Sequence, residues 1–198
     1  MNNIHKIVRR GDLESLKSLI ISNPPSIDYQ DKYGHTPLHI AAANGHLCII
    51  KLLISVGAKL NVICDENQQS TCLHFAVKCK HVDCVRYLIK SMMSKGLRLD
   101  NQDKNGNTIL HLAALTSTIM LNTVIENTFN CVSIKNIDGK SPVQLTIGLN
   151  DFVVDQLINR LYKDYDNKKF KYIINVPLKV LKKIMSDYLS LVDIINFD

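Results

Sequence analysis

The sequence predicts an all-α chain: a solenoid of stacked helix-pair repeats, about four or five of them, followed by a helical tail. Three observations lead there. A short motif returns with Thr36, Thr71, Thr108 and Ser141 as equivalent points, at spacings of 35, 37 and 33 residues. Apolar residues inside each copy fall at helical spacing. Beyond the last copy, residues 176–194 carry one apolar stripe of the same period. The organisation read from this is a repeat region over 1–162, a polar linker over 163–171 and a tail over 172–198. Of the 198 residues 46% are hydrophobic and 21% charged, which is enough to bury a core and rules out wholesale disorder.

The opening copy is degenerate. Gly11-Asp12 stands 34 residues before Gly45-His46, and Leu16, Leu19 and Ile20 precede the turn as Ile50, Leu53 and Ile54 do. It lacks the Thr-Pro-Leu-His start and shows Asn2 and Asn3 instead, as expected of a capping repeat. The next copy, from Asp31 to His46, is the fullest. Thr36 is placed to accept from N–H groups of the first helical turn, and Pro37 at the first helical position lacks a donor that would be unpaired there anyway. Leu38, Ala41 and Ala42 give a narrow helix face, and Gly45 supplies the left-handed turn that ends the helix. A second helix is expected over about 47–55, burying Ile49, Ile50, Leu52 and Leu53 and stopping at Gly57.

Asp31-x-x-Gly34 and Asp103-x-x-Gly106 signal hairpin turns between repeats. The intervening turn, around Asp65-Glu66-Asn67-Gln68-Gln69, has no glycine and is expected to be longer. Thr71-Cys-Leu-His-Phe-Ala76 and Asn107-Thr-Ile-Leu-His-Leu-Ala-Ala114 open the next two copies. In the latter, Thr116-Ser117-Thr118 replaces the Gly-His turn, which leaves its second helix unsupported. Gly139-Lys-Ser-Pro-Val-Gln-Leu145 opens the last.

Thr-Pro-Leu-His-x-Ala-Ala-x-x-Gly-His, with Leu52, Leu53, Gly57 and Ala58 behind it, resembles the ankyrin repeat almost letter for letter. The resemblance implies a protein-binding stack whose finger tips and inner helix faces form the concave surface. Carried onto this chain, it nominates Tyr33, His35, Asn44, Gln68, Gln69, Lys78, Asn105 and Asn107 as target-binding residues.

Two constellations imitate chemistry. His39, His74 and His111 recur with the period, which points to a hydrogen bond tying adjacent turns; no acid or nucleophile recurs beside them. Cys72-x-His74, Cys79-x-His81 and Cys84 invite a zinc reading, but the spacing is not a standard ligand pattern and both histidines are repeat residues. No phosphate loop, nucleophile–base pair or acid pair appears, so the expectation is a non-enzymatic chain without metal or cofactor.

The tail is a third constellation. Val180, Leu181, Ile184, Tyr188, Leu189 and Val192 form one stripe, with Pro177 at its start and Lys179, Lys182 and Lys183 opposite. A cap on the stack is one reading, and a basic helix for a membrane or a calmodulin-type groove is another. Pro177, Val180, Leu181, Ile184, Tyr188, Leu189, Asp193 and Ile194 also stand where the F-box places its opening residues, with Val176 and Lys179 departing from it. Ankyrin repeats ahead of a truncated F-box-like element resemble the poxvirus ankyrin proteins of the PRANC type. That resemblance implies an adaptor in the host cytoplasm, with the nucleus as a second location. It would hold a host protein on its repeats and dock the Skp subunit of a cullin-type ubiquitin ligase through Pro177, Val180, Leu181, Ile184, Tyr188, Leu189 and Asp193. Gly139-Lys-Ser-Pro-Val-Gln-Leu-Thr-Ile-Gly148 also resembles a repeat of the inhibitors of NF-κB, which implies the alternative of a binding inhibitor of host innate signalling.

Charge and processing signals agree with an intracellular interaction protein. The net charge is +6, and residues 163–183 hold seven Lys against two Asp, leaving about +1 elsewhere; no chain-wide nucleic-acid face is expected. No apolar run is long enough to span a bilayer, residues 1–10 lack a signal-peptide core, and no Asn-x-Ser/Thr sequon occurs. The six cysteines are expected to be reduced thiols.

Overall fold

The computed structural model describes residues 3–22, 26–64, 69–125, 127 and 134–146. The linker and tail, 163–171 and 172–198, lie outside the described residues, as does Gln68. Among the described residues all regular secondary structure is helical, without strands.

The helices are α1 (Asn3–Arg10), α2 (Leu13–Ser22), α3 (Pro37–Ala43), α4 (Leu47–Ser55), α5 (Cys72–Lys78), α6 (Val82–Ser94), α7 (Ile109–Ala114), α8 (Thr118–Ile125) and α9 (Pro142–Thr146). They pair as α1/α2, α3/α4, α5/α6 and α7/α8. The odd-numbered helices pack on one another in chain order to form an inner layer, and α2, α4, α6 and α8 do the same in an outer layer. Each pair has an apolar face that it cannot bury alone, so burial is completed by the neighbour.

The core runs continuously between the layers. Leu16, Ile50, Leu53, Leu73, Val85, Leu88, Leu110, Leu121 and Val124 are wholly enclosed. Burying each such side chain is worth about 1.5–3 kcal/mol. Ala41 and Ala42 are also fully buried, and their small size lets α3 come close to its neighbours. Leu52, expected in the core, is only half-buried, because the burial stripe of α4 runs through Ile49, Ile50 and Leu53.

The uneven spacing of the motif has two local causes. Between Thr71 and Thr108 the outer helix α6 has 13 residues where α4 has nine, one extra turn before its closing glycine, Gly96. Between Thr36 and Thr71 the finger is longer. The backbone N–H of Cys64 donates to the carbonyl of Ser70 (3.0 Å), closing seven residues, where the matching Asp31-to-His35 bond (2.9 Å) closes five. Cys64 stands in the place of the aspartate, and residues 65–68, where the longer turn is expected, lie outside the described residues.

One expectation is corrected. The second helix of the Thr108 copy forms as α8 despite the missing Gly-His turn. Ser117 Oγ accepts from the N–H of Met120 (3.2 Å), so a serine N-cap starts the helix. Met120, Leu121 and Val124 then bury its inner face.

Candidate functional site

The exposed inner face is held in shape by a histidine ladder. In α3, the N–H of Thr36 donates to Nδ1 of His39 (3.2 Å), and the Thr36 hydroxyl lies 2.8 Å from the same nitrogen. A backbone N–H can only donate, so Nδ1 carries no proton. Nε2 is then the protonated nitrogen, and it donates across the repeat boundary to the carbonyl of Ser70 (3.3 Å). The unit recurs at Thr71/His74, with Nε2 donating to Asn101 (3.1 Å), and at Thr108/His111, with Nε2 donating to Lys140 (3.1 Å). Each histidine thus closes a capping box on its own helix and ties that helix to the next finger. At Ser141 the partner is Gln144, whose Oε1 accepts from the Ser141 N–H (2.8 Å).

The opening copy joins this ladder, which its sequence conceals. His5 lies 34 residues before His39, and its Nε2 donates to the carbonyl of His35 (3.0 Å). Without a threonine cap, its Nδ1 is buried with no partner among the described residues. Burial pushes His39 down to about 4, and it lowers His74 and His111 in the same direction, so those three rings are neutral at pH 7.

A second histidine series sits at the opposite end of the inner helices. His46 Nε2 donates to the Arg9 carbonyl (3.4 Å) and His81 Nε2 to the Ala43 carbonyl (3.1 Å). Each ring lies against the glycine of the preceding repeat. A Cβ on Gly45 would come within 2.5 Å of the His81 ring, and one on Gly11 within 2.8 Å of the His46 ring. Both glycines have left-handed φ, 72° and 76°. Lys80 takes the same conformation (φ 64°) in the following repeat, and in the repeat after that the histidine position is filled by Ser117.

Three fingers share one construction. Asp31 Oδ1 accepts from the N–H groups of Tyr33 and His35, both at 2.9 Å. Asp103 Oδ1 accepts from Asn105 and Asn107, and Asn136 Oδ1 from Asp138 and Lys140. Gly34, Gly106 and Gly139 supply the left-handed residue. Burial opposes the Asp31 charge, yet those backbone donors hold its carboxyl below the usual value.

Between α1, α3 and α5 these features leave a groove of about 260 Å³, lined in part by Arg9, His35, Ile40, Asn44 and Phe75. Phe75 meets His35 edge-on at 5.2 Å and His39 at 5.7 Å. His35 Nδ1 lies 3.6 Å from Asp31 Oδ2, while its Nε2 is enclosed with no hydrogen-bond partner among the described residues.

The nominated target residues are distributed as follows. Tyr33, Gln69, Lys78 and Asn105 are exposed, and Lys32 Nζ lies 4.7 Å over the Tyr33 ring. Asn44 is exposed, although its Nδ2 donates to the Ile40 carbonyl (2.8 Å). His35 and Asn107 are half-buried, and Asn107 Oδ1 accepts from Asn136 Nδ2 (3.1 Å), so both also hold the fingers. His35 and Asn44 come together at the groove with Arg9, Ile40 and Phe75, which sequence reasoning did not single out. Register alone could have found Phe75, since it occupies the position of Ile40 one repeat on.

The cysteine–histidine cluster is dispersed. Cys72 and Cys84 are buried and Cys79 is exposed, while His74 and His81 engage neighbouring carbonyls. Burial drives the Cys72 thiol up to about 12, so it stays protonated. Among the described residues no helix is long and apolar enough to cross a membrane.

Residues 4–98 match the family model described as "Ankyrin repeats (3 copies)". Human "SH3 and multiple ankyrin repeat domains protein 2" is 28% identical over 172 residues, covering 86% of this chain and 9% of the relative. "Inversin" of Canis lupus familiaris is 31% identical over 174 residues, covering 71% of the chain and 16% of the relative. "Putative E3 ubiquitin-protein ligase XBAT31" of Arabidopsis thaliana is 30% identical over 119 residues, covering 56% and 26%. The chain therefore spans about a quarter, at most, of the length of these relatives. It carries ankyrin repeats, a module for protein–protein interaction.

Proposed function

We propose that this ankyrin-repeat chain is a non-enzymatic viral adaptor in the host cytoplasm, with access to the nucleus. Its repeats hold a host protein, and its tail docks the Skp subunit of a cullin-type ubiquitin ligase. The observation that carries the first half is the inner face itself. The ladder uses the polar groups of His39, His74 and His111 internally, and leaves Tyr33, Lys78 and Asn105 outward on a rigid scaffold. A backbone already fixed in this way loses little freedom on binding, which favours affinity. The second half rests on the F-box-like order of Pro177, Val180, Leu181, Ile184, Tyr188, Leu189 and Asp193 in the sequence. Leu181, Ile184 and Leu189 supply apolar anchors at helix-in-groove spacing.

The test is binding of the full chain to a purified Skp subunit, beside a Leu181→Asp, Ile184→Asp double variant. Loss of two buried anchors should lower affinity about thirtyfold or more. Pro177→Ala should weaken it modestly, through the helix start. If the full chain ignores the Skp subunit, or the double variant unfolds the repeats, the tail is a cap and the adaptor reading fails.

A further inference from the structure

We infer that the concave face takes an acidic, amphipathic peptide segment: carboxylates along its cationic rim and an apolar side chain in the groove between α3 and α5. The inference deepens the reading of the repeats as a partner-binding surface and rests on it.

Three independent observations converge. The first is charge. Lys6 and Arg9 on α1 occupy the register positions of Ile40 and Ala43, and Lys78 on α5 occupies that of Ala43 again. All three are exposed, and no carboxylate stands at the corresponding positions of α1, α3, α5 or α7. Among the described residues the Lys and Arg ion pairs, Lys17–Glu14, Arg86–Asp83 and Arg98–Asp100, lie elsewhere and leave these three cations out. The carboxylate nearest the groove, Asp31, lies 3.6 Å from His35 Nδ1 and already accepts from the backbone N–H groups of Tyr33 and His35. The second is shape. Ile40 and Phe75 furnish apolar wall to a groove of about 260 Å³, enough for one large side chain but not for a small-molecule site of ordinary size. The third is a hydrogen bond left unmet among the described residues: His35 Nε2 is enclosed at this groove without a partner there, a state that a polar group on an incoming chain would relieve.

Together these specify the occupant. Cations separated by apolar wall suit a peptide alternating acidic and apolar residues, whereas nucleic acid would leave Ile40 and Phe75 facing phosphate and sugar. Complementary charge would also speed encounter and make binding salt-dependent. Residues 163–183, the linker and the start of the tail, are basic and match this face poorly in charge.

The experiment uses the full chain and fluorescence anisotropy with three labelled twelve-residue peptides: Glu with Leu, Lys with Leu and Glu with Ser, in one common order. The Glu/Leu peptide should bind at least tenfold more tightly than either of the others. It should weaken as salt rises from about 50 to 300 mM, and a twelve-residue oligothymidylate should not displace it. Arg9→Glu with Lys78→Glu should lower its affinity at least tenfold with unchanged circular dichroism. Arg9→Gln with Lys78→Gln, a milder pair on exposed positions, should lower it less. Equal binding of the Lys/Leu or Glu/Ser peptide, no binding of any peptide, tighter binding of the oligonucleotide, or indifference to both charge pairs would overturn the inference. Should that happen while alanine at Tyr33, Gln68 and Asn105 still abolishes capture of a cellular protein, the binding face stands and only its chemistry is wrong. If capture also survives that triple change, both readings fall.

Discussion

His39 shows how much one side chain does here. It accepts from Thr36 and donates to Ser70, and both bonds require the neutral ring with its proton on Nε2. Its folded pKa, about 4, lies below the usual histidine value near 6.5. Between those values the unfolded chain binds more protons than the folded one, so stability rises with pH. The contribution is fully present above about pH 6.5 and is lost as pH falls toward 4. His39 alone should forfeit on the order of 2 kcal/mol between pH 7 and pH 5. His74 and His111 act in the same direction. Thermal melts at the two values should therefore show a lower Tm at pH 5, and the drop should shrink in His39→Gln. A Tm that is flat or rises toward pH 5 would contradict the neutral ladder.

Glycine positions give a second prediction at this scale. Gly45 and Gly57 both have left-handed φ, but a Cβ meets the His81 ring at Gly45 and open space at Gly57. Alanine at Gly57 should cost about 1 kcal/mol from backbone conformation alone. Alanine at Gly45 should cost about 1–3 kcal/mol more, because the packed ring must move. Urea unfolding of both variants measures the difference, and equal losses would show that the ring contact is unimportant. Lys80 is the converse case: Lys80→Gly should stabilise by about 0.5–1 kcal/mol, since it relieves a strained φ on an exposed side chain.

At the scale of elements, the helix-pair unit was readable wherever a residue type had a single local purpose. Thr36, Pro37 and Gly45 announced the bounds of α3, and Gly57 the end of α4. The unit was obscured where a different residue performed the same task. Ser117 starts α8 by capping Met120, although the Gly-His signal is missing. Cys64 closes a finger that aspartate closes elsewhere. His5 makes the cross-repeat bond without the threonine that marks the other copies. The groove was harder still to read, since it joins Arg9, Ile40 and Phe75 from three helices and depends on how the pairs stack. The Ser117 cap is directly testable. Ser117→Ala should lower stability by about 1 kcal/mol, read as a shift in the urea midpoint without a change in slope. No shift would mean that α8 is held by its buried face alone.

Over the whole molecule, stability is shared between neighbours. Leu53 and Leu88 lie fully buried in consecutive outer helices, and replacing either with alanine should cost about 2–5 kcal/mol. In a stack this short the loss should spread through adjacent interfaces, so each variant should lower the melting of the stack as a unit. Unchanged melting in both would contradict the shared core. The same stacking turns a row of separate fingers and inner helices into one surface, which is why a protein partner is the expected ligand. The most direct measurement is affinity capture from cell lysate by the full chain, beside the full chain with alanine at Tyr33, Gln68 and Asn105. The predicted result is loss of the captured protein from the triple variant at unchanged helicity; capture that persists undiminished on a folded triple variant would contradict the account.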